Sequence, residues 1–235
     1  MSEREQWPPA PNELSLAENS VHVWRAALTD ASSEVLSADE LDKAAQFHFE
    51  KDRNQYIAAR AILRHIIGQY ERIPADKVAF SYNTFGKPIL EHSSLRFNVS
   101  HSGGLALLAF ARNKNVGVDI ERIRRDFASR ELAGQFFSQE EIGALRSLPV
   151  QSQTAAFFAC WTRKEAFIKG HGSGLSLPLH KFVVSLDAPA RLLRTDFDPA
   201  AIDQWTLHDL AVGDKFVAAL AVEGKPERIE YWRWG

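Results

Sequence analysis

The sequence is poor in sulfur, with one cysteine, Cys160, and one methionine, Met1, among 235 residues. A lone cysteine excludes an internal disulfide and any cysteine-rich metal cluster. Cys160 lies in the apolar stretch 155–161, a setting that predicts a buried, inert thiol rather than a nucleophile. No run of about eighteen apolar residues occurs, so no membrane-spanning helix is expected. The first nine residues lack the apolar core of a secretory signal, and the expectation is a cytosolic protein. An excess of charge of one sign is missing too: 28 Lys and Arg stand against 30 Asp and Glu, a formal net charge of −2. That balance gives no whole-molecule attraction to nucleic acid or to an anionic membrane, so any anion site must be local.

What is present is apolar and aromatic. Hydrophobic residues make up 45% of the chain, with six Trp and fifteen Phe, enough for a sizeable core in one large domain or two small lobes. Residues 1–19, rich in Pro, Glu and Ser, read as a loosely packed leader. Alternation over 21–24 predicts a first strand. Ser37 with Glu40 three residues later is a capping-box pattern, and apolar positions from Leu41 to Ile67 predict one or two helices ending near Gly68. A strand is expected over 78–82, a turn over 83–88, and strands over 95–99 and 105–110. In the second half Ser138 and Glu141 repeat the capping box, and a long helix is expected over 152–169, ended by Gly170 and Gly172. Segments 181–186, 205–210, 216–222 and 229–232 read as an antiparallel set. A helix packed with a small sheet in each half is an α+β arrangement.

Two acidic segments carry the chemistry. Gly117-Val118-Asp119-Ile120-Glu121 reads as a strand, so Asp119 and Glu121 share one face while Val118 and Ile120 turn into an apolar core. Two such carboxylates repel unless a cation joins them or one is protonated, and hard oxygen ligands suit Mg²⁺. Trp161-Thr162-Arg163-Lys164-Glu165-Ala166-Phe167-Ile168-Lys169 reads as a helix and offers Glu165 as a third acid. Glu165 and Lys169 stand one turn apart, a spacing that by itself signals only a surface ion pair.

With Phe85-Gly86-Lys87-Pro88, Phe97-Asn98-Val99-Ser100-His101-Ser102-Gly103 and Gly172-Ser173-Gly174-Leu175-Ser176-Leu177-Pro178-Leu179, these segments resemble, in order and spacing, the 4′-phosphopantetheinyl transferases of the surfactin-synthetase-activating type. The resemblance runs from about Leu41 to Val184. It implies two similar α+β lobes related by a pseudo-twofold axis, here 20–115 and 116–235, with the active site in the cleft between them. It implies Mg²⁺-dependent transfer of the 4′-phosphopantetheine arm of coenzyme A to a serine of an apo acyl- or peptidyl-carrier protein, releasing adenosine 3′,5′-bisphosphate. Mn²⁺ in place of Mg²⁺ stays open. Asp119, Glu121 and Glu165 would hold the metal, and Lys169 would lie near the reacting phosphate. The general base is either Glu165 or Glu121 acting through a bound water. Ser100 and His101 match positions at the 3′-phosphate, Gly86 and Lys87 positions at the nucleotide, and Lys43 a basic position near it. Arg53, Arg60 and Arg64 are further candidates for coenzyme A. One departure is Glu40, where many members carry a second basic residue. Arg122, Arg124, Arg125 and Arg130, with Phe127, would form a basic and apolar docking patch for the carrier. A single chain could complete the site, so a monomer is expected. A non-catalytic coenzyme A-binding scaffold, or a Mg²⁺-dependent nucleotide phosphohydrolase, would use the same residues.

Overall fold

The structure, a computed structural model, describes residues 7–30, 32–124 and 130–235. Strand β1 (Ser20–Ala27) is followed by helices α1 (Ala38–Ala45) and α2 (Glu50–Glu71), then by a short hairpin of β2 (Ser81–Tyr82) and β3 (Pro88–Ile89). Strands β4 (Leu95–Ser102), β5 (Leu105–Arg112) and β6 (Val116–Arg122) come next. Beyond them lie α3 (Arg130–Phe136), α4 (Gln139–Ser147), α5 (Val150–His171), a second short hairpin of β7 (Phe182–Val184) and β8 (Leu192–Thr195), and finally β9 (Trp205–Leu210), β10 (Phe216–Glu223) and β11 (Arg228–Trp234).

Two sheets and two long helices make the layers. One sheet has the order β11-β1-β5-β4 and the other β6-β10-β9. In β5 the residues from Leu105 to Ala111 are all buried, which requires cover on both faces. Ala106, Leu108 and Phe110 pack toward α2 with Ile62 and Ile66, while Leu105, Leu107 and Ala109 meet Val118, Ile120 and Leu220 of the second sheet. The second sheet's other face carries Ala219 and Ala221 against Phe167 of α5. The period of two in each strand thus sorts side chains into separate cores and yields an α+β stack of helix, sheet, sheet and helix.

The two halves repeat a device as well as an order. Ser37 and Ser138 each open a capping box whose third helical residue, Glu40 or Glu141, is buried to 1% exposure. Each glutamate then meets the fifteenth residue of a 22-residue helix: Glu40 pairs with Arg64 at 2.6 Å and Glu141 with Lys164 at 2.8 Å. Arg64 donates onward to the carbonyls of Ala75 and Val78, and Lys164 to those of Leu179 and Phe182. In both halves those carbonyls are the first residue of a one-turn 3₁₀ helix and the residue just after it. Glu40, the departure from the family's basic residue, is therefore the first half's counterpart of Glu141.

Several sequence expectations shift. Helix α2 does not end at Gly68 but runs to Glu71 and closes on Arg72 in the left-handed region. Gly68 is instead a packing site, since a Cβ there would lie 2.7 Å from the Ile73 carbonyl oxygen. Helix α5 reaches His171 and ends on Gly172, as the glycine signal indicated. Strand β8 was not foreseen. Strands β7 and β11 do not join the antiparallel set of the second half: β7 pairs with β8 in a separate hairpin, and β11 runs parallel to β1 at the edge of the first sheet. Its alternation is apolar on both faces, with Ile229 and Tyr231 on the core between the sheets and Trp232 and Trp234 on the α2 core. Only an edge flanked by both cores suits such a strand. Cys160 is buried, and burial raises its thiol well above the usual range, so it is inert as expected.

Candidate active site

The site forms where β6 lies directly on α5. Gly117 makes that approach possible: a Cβ there would stand 2.1 Å from the Ala166 carbonyl oxygen and 2.2 Å from the Gly170 nitrogen. Val118 and Ile120 fill the core between the sheets, so Asp119 and Glu121 face the last turns of α5, which carry Glu165 and Lys169.

Asp119 is 2% exposed. Its Oδ1 accepts from the Ser100 hydroxyl at 2.8 Å and from the Lys169 ammonium at 2.5 Å. Its Oδ2 is buried with no hydrogen-bond partner. Glu121 accepts from the Ser102 hydroxyl at 2.9 Å. Burial, and then the Asp119 charge, raise Glu121 above the ordinary carboxylate value, with Ser102, Lys169 and Arg124 opposing. Burial also raises Glu165; Lys169 opposes, while Asp119 and Glu121 add to the rise. Glu121 thus feels the Asp119 charge, and Glu165 feels both, which is the electrostatic mark of a shared site.

Whether these residues suit a divalent cation is answered by Asp119 Oδ2. A buried carboxylate oxygen lacking a donor carries a desolvation cost that a bound cation would remove. Among the described residues no three His, Cys, Asp or Glu side chains stand close enough to hold a metal ion by themselves, and the cation seated on Asp119 is Lys169. Mg²⁺ commonly takes one or two carboxylates with waters and substrate phosphates rather than a full protein cage. The donor set fits that mode.

Strand alternation separates two neighbours that the sequence grouped. Ser100 turns to β6, whereas His101 lies on the opposite face of β4 and lines a cavity of about 210 Å³ with Tyr56, Arg60, Lys87, Phe97 and Val99. The Ser100 hydroxyl is therefore not presented beside His101. The structure brings His101, Arg60 and Lys87 together. His101 is exposed at its surface, yet desolvation and then the Lys169 charge lower its imidazole below the usual value, with Asp52 opposing. Arg60 is shared among Glu40 at 2.6 Å, the Tyr82 hydroxyl and the Phe80 ring. Lys87 walls the cavity, but its ammonium donates to the carbonyl of Lys169 at 2.6 Å, closing the end of α5. Gly86 holds the preceding turn at φ 79°. Lys43 is exposed and lies over the Tyr56 ring at the cavity's edge. Arg53 is exposed with Glu50 as a distant partner at 3.9 Å, and Arg64 is committed to Glu40.

The sequence reading missed Asn98, Ser102 and Tyr56, and the polar alternation 98-100-102 was the available signal. In the basic patch, the Arg122 side chain lies against Gly103 in the β4–β5 turn. Arg125, Phe127 and the side chain of Arg130 fall outside the described residues.

Residues 115–221 match the family model described as the 4′-phosphopantetheinyl transferase superfamily, and residues 5–113 match that described as 4′-phosphopantetheinyl transferase, N-terminal. The chain is 37% identical over 238 residues to the 4′-phosphopantetheinyl transferase HetI of Nostoc sp., covering 97% of this chain and 98% of that one. It is 33% identical over 165 residues to the transferase ffp of Bacillus subtilis, covering 70% and 72%. It is also 33% identical over 152 residues to the transferase Sfp of Bacillus subtilis strain 168, covering 64% and 66%.

Proposed function

The chain belongs to the 4′-phosphopantetheinyl transferases, and from that premise we propose how its residues move the arm of coenzyme A onto a serine of an apo carrier protein. Attack of a hydroxyl on a diphosphate asks for charge neutralisation, proton removal and alignment. Asp119, with one of Glu121 and Glu165 beside it, would hold Mg²⁺ whose remaining positions go to water and substrate phosphate, and the bound ion would supply neutralisation at the pyrophosphate. Lys169 is the chain's own positive charge at the acids and steadies the leaving phosphate. Glu165 takes the proton from the carrier serine. Its place on α5 facing the acids of β6 makes it the first candidate, with Glu121 through a water as the second.

The nucleotide end of coenzyme A enters the cavity of His101 and Arg60, with Lys87 as its wall and Gly86, Lys43 and Arg53 on the approach. Arg122 and Arg124, continuing into Arg125, Phe127 and Arg130, receive the carrier. The chain works as a monomer, because one copy supplies the acids, Lys169 and the cavity.

The observation that carries this reading is the buried, partnerless Oδ2 of Asp119 beside Lys169 on the face that meets Glu165. The test is to mix protein, Mg²⁺, coenzyme A and apo carrier and weigh the carrier. A gain of the phosphopantetheine mass that disappears with a chelator and in Asp119→Ala is the expected result. Coenzyme A loss without carrier modification would indicate a hydrolase, and binding without turnover a scaffold.

A further inference from the structure

Among the described residues, strand β6 has an edge with no backbone partner. Its other edge pairs with β10 along its whole length, which uses alternate N–H groups and leaves those of Val118, Ile120 and Arg122 pointing away. Side chains of β4 meet all three. Asn98 Oδ1 accepts from the Val118 N–H at 2.9 Å, Ser100 Oγ from the Ile120 N–H at 3.4 Å, and Ser102 Oγ from the Arg122 N–H at 3.1 Å. Both serines also donate, Ser100 to Asp119 and Ser102 to Glu121.

A hydroxyl has one proton and two lone pairs. Ser100 spends its proton on Asp119 and its lone pairs on the Ile120 N–H and the Lys169 ammonium at 3.0 Å. Ser102 ties Glu121 to the backbone one residue along in the same way.

We propose that Asn98, Ser100 and Ser102 are positioning residues: a side-chain ladder that takes the place of backbone pairing between β4 and β6, fixes the register of β6, and aims the Asp119 and Glu121 carboxylates at α5. The carboxylates' role in transfer rests on the function proposed above; the ladder itself does not. In this arrangement the Ser100 hydroxyl serves Asp119.

Two measurements on the full chain test this separately. Amide hydrogen exchange, with no coenzyme A, metal or carrier added, should quicken by roughly tenfold at Val118 in Asn98→Ala, at Ile120 in Ser100→Ala and at Arg122 in Ser102→Ala, each variant leaving the other two amides protected. Unchanged protection at those amides overturns the ladder, whatever the fate of the transferase reading. In carrier-modification kinetics, Ser102→Ala should lower kcat roughly tenfold, the scale of a lost hydrogen bond to a charged group, with KM for coenzyme A within about twofold. Ser102→Thr, which keeps the hydroxyl, should recover most of that loss. A raised KM with kcat intact, or a threonine variant as impaired as the alanine one, overturns the positioning role.

Discussion

The Lys87 ammonium sits where α5 runs out of N–H partners. Besides the Lys169 carbonyl it reaches those of Gly170 and Val116, each at 3.4 Å, and a cation at a helix C-terminus complements the exposed carbonyls there. Burial, and then Arg96, lower its pKa to about 8. Because the unfolded lysine titrates near 10.4, the unfolded state holds more protons between these values, and the contribution of Lys87 to stability rises with pH across that window. Lys87→Met should therefore lower stability by about 1–3 kcal/mol through orphaned carbonyls, and should abolish that rise. Urea unfolding at pH 7.5 and pH 10 measures both effects. His101 makes a different prediction, since its ring opens on the cavity and no protein partner claims it in hydrogen bonding among the described residues. His101→Ala should raise KM for coenzyme A about tenfold and leave KM for the carrier unchanged, as steady-state kinetics with each substrate varied would register.

At the scale of elements, the contact between β6 and α5 depends on the absence of a side chain at Gly117. Gly117→Ala would force a methyl into two backbone atoms that cannot yield, and overpacking of this kind costs about 1–3 kcal/mol or more. The expected outcome is a lowered Tm together with loss of transfer, because β6 carries Asp119 and Glu121. Gly143 in α4 is the control: a Cβ there meets nothing within 4 Å, and Gly143→Ala should stabilise by about 0.5–1 kcal/mol in the same thermal melt. The two glycines look alike in the sequence. What differs is the atom opposite, which belongs in one case to a helix some fifty residues further along the chain and in the other to solvent.

Across the whole molecule the matched glutamates tie each capped helix to its long helix. Glu141→Gln would leave Lys164, 0% exposed, without its countercharge, a change expected to cost about 3–5 kcal/mol. Burial already lowers the Lys164 pKa and Glu141 opposes that, so the variant should regain stability as pH rises and the ammonium is lost. Denaturation at pH 7 and pH 10 provides the check. For the carrier surface, charge reversal at Arg124 and Arg125 should raise KM for an acidic carrier and spare KM for coenzyme A.

Local patterns in the chain determined a good deal: both capping boxes, the glycine stop after α5, the inward Val118 and Ile120, the shared face of Asp119 and Glu121, and the family. Each of these follows from dihedral preference, hydrophobic period or motif order, which act over a few neighbouring residues. Tertiary structure alone decided that β11 crosses to the first sheet, that Glu40 is an anchor for Arg60 and Arg64, that Lys87 closes a helix, and that Ser100 belongs to Asp119. Those outcomes depend on which buried donor finds which acceptor across long stretches of chain, and that pairing exists only once the layers have packed.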